Sequence, residues 1–135
     1  MKRYTFLIII LLVSLTSCEK IQMENDLQGT WKLWKVRGGY SGEGFNANFS
    51  HLIIPTNKHF EIQQNETLLE DGTYNIYKVD KVWAGSNWRI EFNRNIVLEP
   101  GATFLSEGAF CFDSSDTLSF AEVAYDGFTW VFIKE

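Results

Sequence analysis

Residues 88–93 read Trp-Arg-Ile-Glu-Phe-Asn, and this stretch predicts the fold class of the chain. Its apolar side chains, Trp88, Ile90 and Phe92, alternate with polar ones. Because successive side chains of a β-strand point to opposite sides of the sheet, this period of two predicts an antiparallel strand with one buried face. The same alternation returns in residues 128–132, so the pattern is not confined to one place.

Eight β-rich runs follow one another along the chain, separated by short clusters of Gly, Asn, Asp and Ser that are typical of turns. From Leu27 onward, no window of ten or more residues carries an apolar stripe with the period of a helix. The predicted fold class is therefore all-β. The predicted strands are residues 29–37, 50–54, 59–63, 72–82, 87–98, 103–112, 117–123 and 128–134.

The short connections favour antiparallel pairing between neighbouring strands, which predicts an eight-stranded up-and-down barrel. A β-sandwich is the alternative architecture. A barrel of eight strands has an interior that is filled by side chains or holds one small ligand. In the first strand Trp31 and Leu33 share a face whereas Val36 is out of phase, which predicts a β-bulge near Trp34.

The first 17 residues have the pattern of a secretion signal, with a basic head at residues 1–3 and an unbroken apolar run at residues 6–13. A permanent membrane helix needs about 20 apolar residues, so this run is too short to be one. Leu15-Thr16-Ser17-Cys18 resembles the lipobox of bacterial lipoproteins. That resemblance implies that Cys18 is acylated and becomes the first residue of the mature chain; an ordinary cleaved signal is the alternative.

Charge and domain organisation follow from this processing. Loss of residues 1–17 leaves ten basic and seventeen acidic side chains, and a chain this acidic is not expected to bind nucleic acid. The expected organisation is a signal peptide at 1–17, a lipidated cysteine with a polar tether at 18–26, and one barrel domain at 27–135. The lipid implies the cell envelope and a membrane contact through the N-terminus, and Glu19 after the cysteine favours the outer membrane.

Residues 27–33 read Leu-Gln-Gly-Thr-Trp-Lys-Leu, a Gly-x-Trp motif at the start of the first strand. Lipocalins and related calycins carry this motif at the same place. By that resemblance Gly29 permits a close approach of the chain, and Trp31 plugs the closed end of the barrel.

Residues 18–135 as a whole resemble the small lipocalin-like lipoproteins of the Bacteroidota. The resemblance rests on the cysteine and polar spacer, the Gly-x-Trp motif, the glycine-rich residues 38–45 and the last strand after the Asp126-Gly127 turn. It implies a lipocalin-like barrel in the cell envelope, without an established activity for most members. The chain lacks the Thr-Asp-Tyr motif and the late arginine of secreted lipocalins, and Lys134 is the only cation near its end.

The glycine-rich loop after the first strand is the candidate ligand site. Its residues Gly39, Tyr40, Glu43 and Phe45 are predicted to lie over the open mouth of the barrel, where a lid admits a ligand. A flexible loop without a ligand is the alternative. Three aromatic residues fall off the inward phase and are either exposed stacking platforms or covers of a barrel end: Trp34, Tyr77 and Trp83.

The sequence predicts no enzyme, cofactor or metal site. His51 and His59 flank one turn and are expected to approach each other across a hairpin, but two histidines do not make a zinc site. Cys111 lies in an aromatic strand without a histidine partner and is expected to be structural. Two functions remain: a lipid-anchored protein that binds a small apolar or amphipathic molecule, and a non-enzymatic interaction protein with a filled barrel whose partner is a glycan or an envelope protein.

Lipid attachment at Cys18 is directly testable. We expect radiolabelled palmitate to label the full chain in its bacterial host, and Cys18→Ser to abolish the label because the acylated thiol is gone. Cys111→Ser is the matched control and keeps the label. A full chain that stays unlabelled would contradict the lipoprotein interpretation.

Overall fold

The computed structural model describes residues 18–56, 58–99 and 101–135, so the predicted signal peptide lies outside the described residues. A helix, α1, spans the described residues 18–27. The strands are β1 (Gly29–Gly38), β2 (His51–Ile54), β3 (His59–Gln64), β4 (Thr67–Trp83), β5 (Ser86–Val97), β6 (Glu107–Ser114), β7 (Thr117–Ala121) and β8 (Phe128–Lys134).

The eight strands pair in chain order, each antiparallel to its neighbour, and β8 pairs with β1 to close a barrel. This confirms the all-β fold class and the eight-stranded antiparallel barrel, and it excludes the β-sandwich. The architecture is consistent with a lipocalin-like barrel. Closure leaves no free sheet edge along most of the wall.

The predicted bulge in β1 is confirmed. The pairing of β1 with β8 passes from Leu33 opposite Phe132 directly to Lys35 opposite Val131, so Trp34 is the extra residue. An extra residue reverses the side on which the following side chains point. Val36 is therefore buried in the interior, whereas the Trp34 side chain is on the outside and 61% exposed.

Aromatic and aliphatic side chains fill the interior of the barrel. Most come from alternate positions of the strands, as the period of two predicts. Three others come from loops, Phe49 before β2 and Phe104 and Leu105 before β6, and all three are buried. The largest fully buried side chains are Trp31, Phe60, Phe110, Phe120, Phe132, Leu27, Leu52, Ile54, Ile62, Ile76, Ile90 and Leu118.

Helix α1 differs from the irregular spacer that the sequence predicts. Leu27 is fully buried and Met23, one turn earlier, packs against the same core. Glu24 forms an ion pair with Lys58, with 3.4 Å between the charged atoms. Ile21 is exposed, so only Met23 and Leu27 mark a buried face, and two residues are too few to show a helical period. The stability of such a helix comes mainly from tertiary packing. The function of this segment as a tether stays a prediction.

Strand β4 begins earlier than predicted, because the sequence of residues 70–72, Glu-Asp-Gly, is not a turn. The turn lies at Asn65 and Glu66, which both have positive φ. Gly72 is instead in mid-strand, where a Cβ atom would lie 2.0 Å from the carbonyl oxygen of Asn93. The glycine therefore serves a close approach between strands.

Strand β6 begins later than predicted, at Glu107, and the residues before it form a loop.

In the part of the chain that the structure describes, no helix is both long and apolar enough to cross a membrane.

Burial of Trp31 predicts a large effect of its removal. Trp31→Ala is expected to lower the free energy of unfolding by about 3–5 kcal/mol, since a fully buried indole leaves a cavity. The matched control, Trp34→Ala, removes an exposed indole and is expected to change it by about 0.5 kcal/mol or less. Urea unfolding followed by circular dichroism measures both. If Trp31→Ala left the free energy of unfolding nearly unchanged, the interpretation of Trp31 as the plug of the barrel end would be wrong.

Candidate functional site

One end of the barrel is closed by Trp31 and α1. The Trp31 indole N–H donates a hydrogen bond to the Leu27 carbonyl, 2.8 Å away, which joins the helix to the first strand. Lys134 Nζ lies 5.0 Å from the centre of the Trp31 ring. Gly29, at φ 138°, passes so close that a Cβ atom would lie 2.9 Å from Lys134 Cε. A lysine therefore lies over the tryptophan ring at this end of the barrel.

The opposite end is closed by two loops, the β1–β2 loop (residues 39–50) and the β5–β6 loop (described residues 98–99 and 101–106). Asn48 of the first loop joins them. Its amide Nδ2 donates to the Gly101 carbonyl at 2.7 Å, and its Oδ1 accepts from the Thr103 backbone N–H at 2.7 Å. The two loops therefore form a single cover over this end.

A buried ion pair holds the β5–β6 loop in place. The Glu70 carboxylate, 3% exposed, pairs with the Arg94 guanidinium and accepts a hydrogen bond from the Ala102 backbone N–H at 2.7 Å. Arg94 in turn donates to the carbonyls of Phe104 and Leu105, both at 3.0 Å. A buried charge is tolerated only when it is paired and hydrogen-bonded, and here the loop supplies those partners.

The cover places aromatic rings inside the barrel. The Phe104 ring contacts five others at centroid distances of 5.2–5.8 Å: Phe49, Phe92, Phe120, Trp130 and Phe132. Edge-to-face pairs at such distances are favourable beyond the apolar area that they bury. The middle of the barrel is therefore a packed aromatic cluster.

A groove lies on the outside of the barrel, along the second half of β1. Strand β2 pairs with β1 only as far as Lys32, so the next part of β1 has no strand on that side. Residues 43–47 of the β1–β2 loop run beside it and touch it at Gly44, whose N–H donates to the Gly38 carbonyl at 3.0 Å. This β1 groove has a volume of about 540 Å³ and is bordered chiefly by Trp34, Lys35, Val36, Glu43, Phe45 and Asn46.

The structure separates the four residues predicted to form a ligand mouth. Glu43 and Phe45 border the β1 groove. Tyr40 is fully exposed at the tip of the loop, and Gly39 packs against the ring of Phe128. The Phe45 ring also contacts Phe128 edge to face, with centroids 4.8 Å apart. The β1–β2 loop thus forms one wall of the β1 groove and part of the cover.

Of the three off-phase aromatic residues, only Trp34 presents its ring to solvent. The Trp83 indole N–H donates to the Glu122 carbonyl at 2.9 Å and is half-buried. The Tyr77 hydroxyl donates to the carboxylate of Glu107, and this hydrogen bond, with some burial, raises the pKa of Tyr77 to about 12. Trp83 and Tyr77 are thus engaged within the protein.

Cys111 has the environment of a structural thiol. It borders a small cavity of about 130 Å³ outside the barrel wall. Burial, together with the negative charge of Asp113, raises the pKa of the Cys111 thiol, so the reactive thiolate is disfavoured near neutral pH.

The two histidines lie apart, and the prediction that they approach across a hairpin is wrong. In the β2–β3 pair, His51 lies opposite Gln63 rather than near His59. His51 Nε2 is 3.2 Å from a carboxylate oxygen of Glu135. Within the described ranges, no group of three or more His, Cys, Asp and Glu side chains is placed to hold a metal ion.

Sequence reasoning missed several polar residues of these sites, among them Asn46 in the groove, Asn48 in the cover and both members of the Glu70–Arg94 pair. Loop asparagines carry no periodic signal, and the Glu70 position resembled a turn.

Comparisons with protein-family models, with curated proteins and with solved structures give no match. The class that the fold defines is thus a closed eight-stranded antiparallel barrel.

Removing the Glu70 carboxylate is expected to loosen the cover. Glu70→Ala leaves Arg94 without its partner and should lower the free energy of unfolding by about 3 kcal/mol. Hydrogen exchange at the Ala102 amide should accelerate, because that N–H loses its acceptor. Glu99→Ala, an exposed carboxylate on the same loop, is the matched control. Equal stability and exchange in the two variants would refute the role of the ion pair.

Proposed function

We propose that this protein is a lipid-anchored lipoprotein of the cell envelope that acts as a non-enzymatic binding module and engages its partner on the outside of a filled barrel. We also propose that it belongs with the lipocalin-like lipoproteins of the Bacteroidota. The anchor would hold the barrel at the outer membrane.

The position of Cys18 supports the anchor. Cys18 lies in α1 and is exposed, so its thiol is accessible. The next residue, Glu19, contacts Lys78 of β4 with 2.7 Å between the charged atoms. Two or three acyl chains on Cys18 would bind a bilayer firmly. Since α1 packs on the barrel, those chains would hold the domain close to the membrane.

The aromatic cluster inside the barrel is the observation that favours binding on the outer surface over binding of a small ligand in the barrel mouth. A small ligand in the barrel mouth needs the space that Phe49 and Phe104 occupy. Admitting it requires the cover to open, which breaks the contacts of Asn48 and of the Glu70–Arg94 pair. Four of the cavities bordered by described residues lie on the outer wall or beside α1. Binding on the outside needs no such rearrangement.

The filled barrel is tested with apolar probes. Residues 18–135 carrying Cys18→Ser are titrated with N-phenylnaphthylamine and with toluene, and no saturable binding near one equivalent is expected. Phe104→Ala should bind toluene and gain thermal stability from it, because an apolar cavity the size of one ring accepts such a molecule.

Tyr125→Ala, which removes a fully exposed ring, is the matched control and should bind neither probe. One-to-one binding of either probe to the parent chain would overturn the filled-barrel function and favour the small-ligand one.

A further inference from the structure

The β1 groove has an exposed aromatic platform. The bulge at Trp34 turns its side chain outward, and 61% of the residue is accessible to solvent. Lys35 Nζ lies 3.8 Å from the centre of the Trp34 ring and covers one face. Among the described residues, no other aromatic ring packs against the indole. Exposed apolar surface that is rimmed by polar residues marks interaction sites and ligand-binding grooves, and Trp34 borders such a groove.

Two polar side chains border the same groove. The Glu43 carboxylate and the Asn46 amide are both exposed. Neither side chain takes part in a hydrogen bond or ion pair with another described residue. Together they offer acceptors and donors that a ligand can engage without displacing an internal partner, so binding there leaves no protein group unsatisfied.

The chemistry of the groove favours a neutral sugar. One face of a pyranose ring consists of C–H groups that pack on an aromatic ring, and its rim of hydroxyls both donates and accepts hydrogen bonds. Lys35 and Glu43 contribute opposite charges, so the groove attracts neither a polyanion nor a polycation. A lipid chain needs a buried apolar channel, and the interior of this barrel is filled by aromatic rings.

The size of the groove is also suitable. Its volume of about 540 Å³ lies within the range of small-molecule sites, about 300–1,000 Å³. An open groove on an outer wall accommodates an internal stretch of a chain, whereas a closed pocket accepts only an end. This shape fits a few consecutive sugar units.

We propose that the β1 groove binds a neutral oligosaccharide, with one sugar ring stacked on Trp34 and its hydroxyls hydrogen-bonded by Glu43 and Asn46. The inference rests on the proposed function as an outer-surface binding module and specifies its ligand class. Phe45 contributes an apolar side chain to the wall of the groove. Phe45 is fixed there by its edge-to-face contact with Phe128.

The experiment follows the tryptophan indole N–H signals of residues 18–135 carrying Cys18→Ser in proton–nitrogen correlation spectra. The Trp34 signal is assigned by its loss in Trp34→Phe. The probes are maltotriose, cellotriose, chitotriose and mannotriose, each titrated into the millimolar range. We expect at least one of them to shift the Trp34 signal saturably.

Three variants test the contacts. Trp34→Ala should weaken binding by about tenfold or more, and Glu43→Ala and Asn46→Ala by about threefold each, as the loss of one hydrogen bond predicts. Tyr125→Ala is the matched control and should bind as the parent does, because its fully exposed ring lies on the β7–β8 loop, outside the groove. An unchanged melting temperature shows that each variant is folded.

Two results would overturn the inference: no trisaccharide shifts the Trp34 signal, or Trp34→Ala binds as tightly as the parent chain. Sugar binding that leaves Trp34 unaffected also overturns it, while a binding site on the outside, and with it the proposed function, stands. Conversely, one-to-one binding of an apolar probe inside the barrel refutes the proposed function without affecting a Trp34-dependent sugar site.

Discussion

The aromatic cluster around Phe104 is the interaction on which the rest of this structure depends. Five rings surround it, and two of the six rings in contact are supplied by loops rather than by strands. The barrel core is therefore complete only when the loops are in place. Polar contacts position the loops from outside, through Asn48 and through Glu70 with Arg94. Core packing and loop geometry are consequently one cooperative unit, and open space is left on the outer wall.

The strands were predictable because their signal is local. The period of two at residues 88–93 and the phase change at Val36 are properties of a few consecutive residues, and they predicted strand β5 and the bulge in β1. The all-β class and the barrel follow from repeating that signal with short connections. The tetrad at residues 15–18 that predicts an acylated Cys18 is likewise a pattern of consecutive residues.

The remaining features depend on contacts between distant residues. Helix α1 forms because Met23 and Leu27 reach the barrel core, which no local period reveals. Residues 103–106 have strand-like composition but form a loop, since Arg94 and Trp130 bind their carbonyl groups. The β1 groove arises where β2 ends, so the outward residue Trp34 and the loop residue Asn46 meet only in the folded chain.

The β4–β5 hairpin shows what an uneven pairing does to a barrel wall. Lys78 pairs with Trp88 and Trp83 with Ser86, so four residues of β4 lie opposite a single residue of β5. These four residues fold over the outer surface of the barrel. The Arg89 side chain beneath them faces outward but is buried, and its guanidinium donates to the carbonyls of Lys81, Ser86 and Trp88. If residues 79–82 moved away from the wall, the buried Arg89 guanidinium would lose the Lys81 carbonyl as a hydrogen-bond partner, which is unfavourable for a desolvated charge. We therefore expect this end of the hairpin to stay packed against the barrel wall.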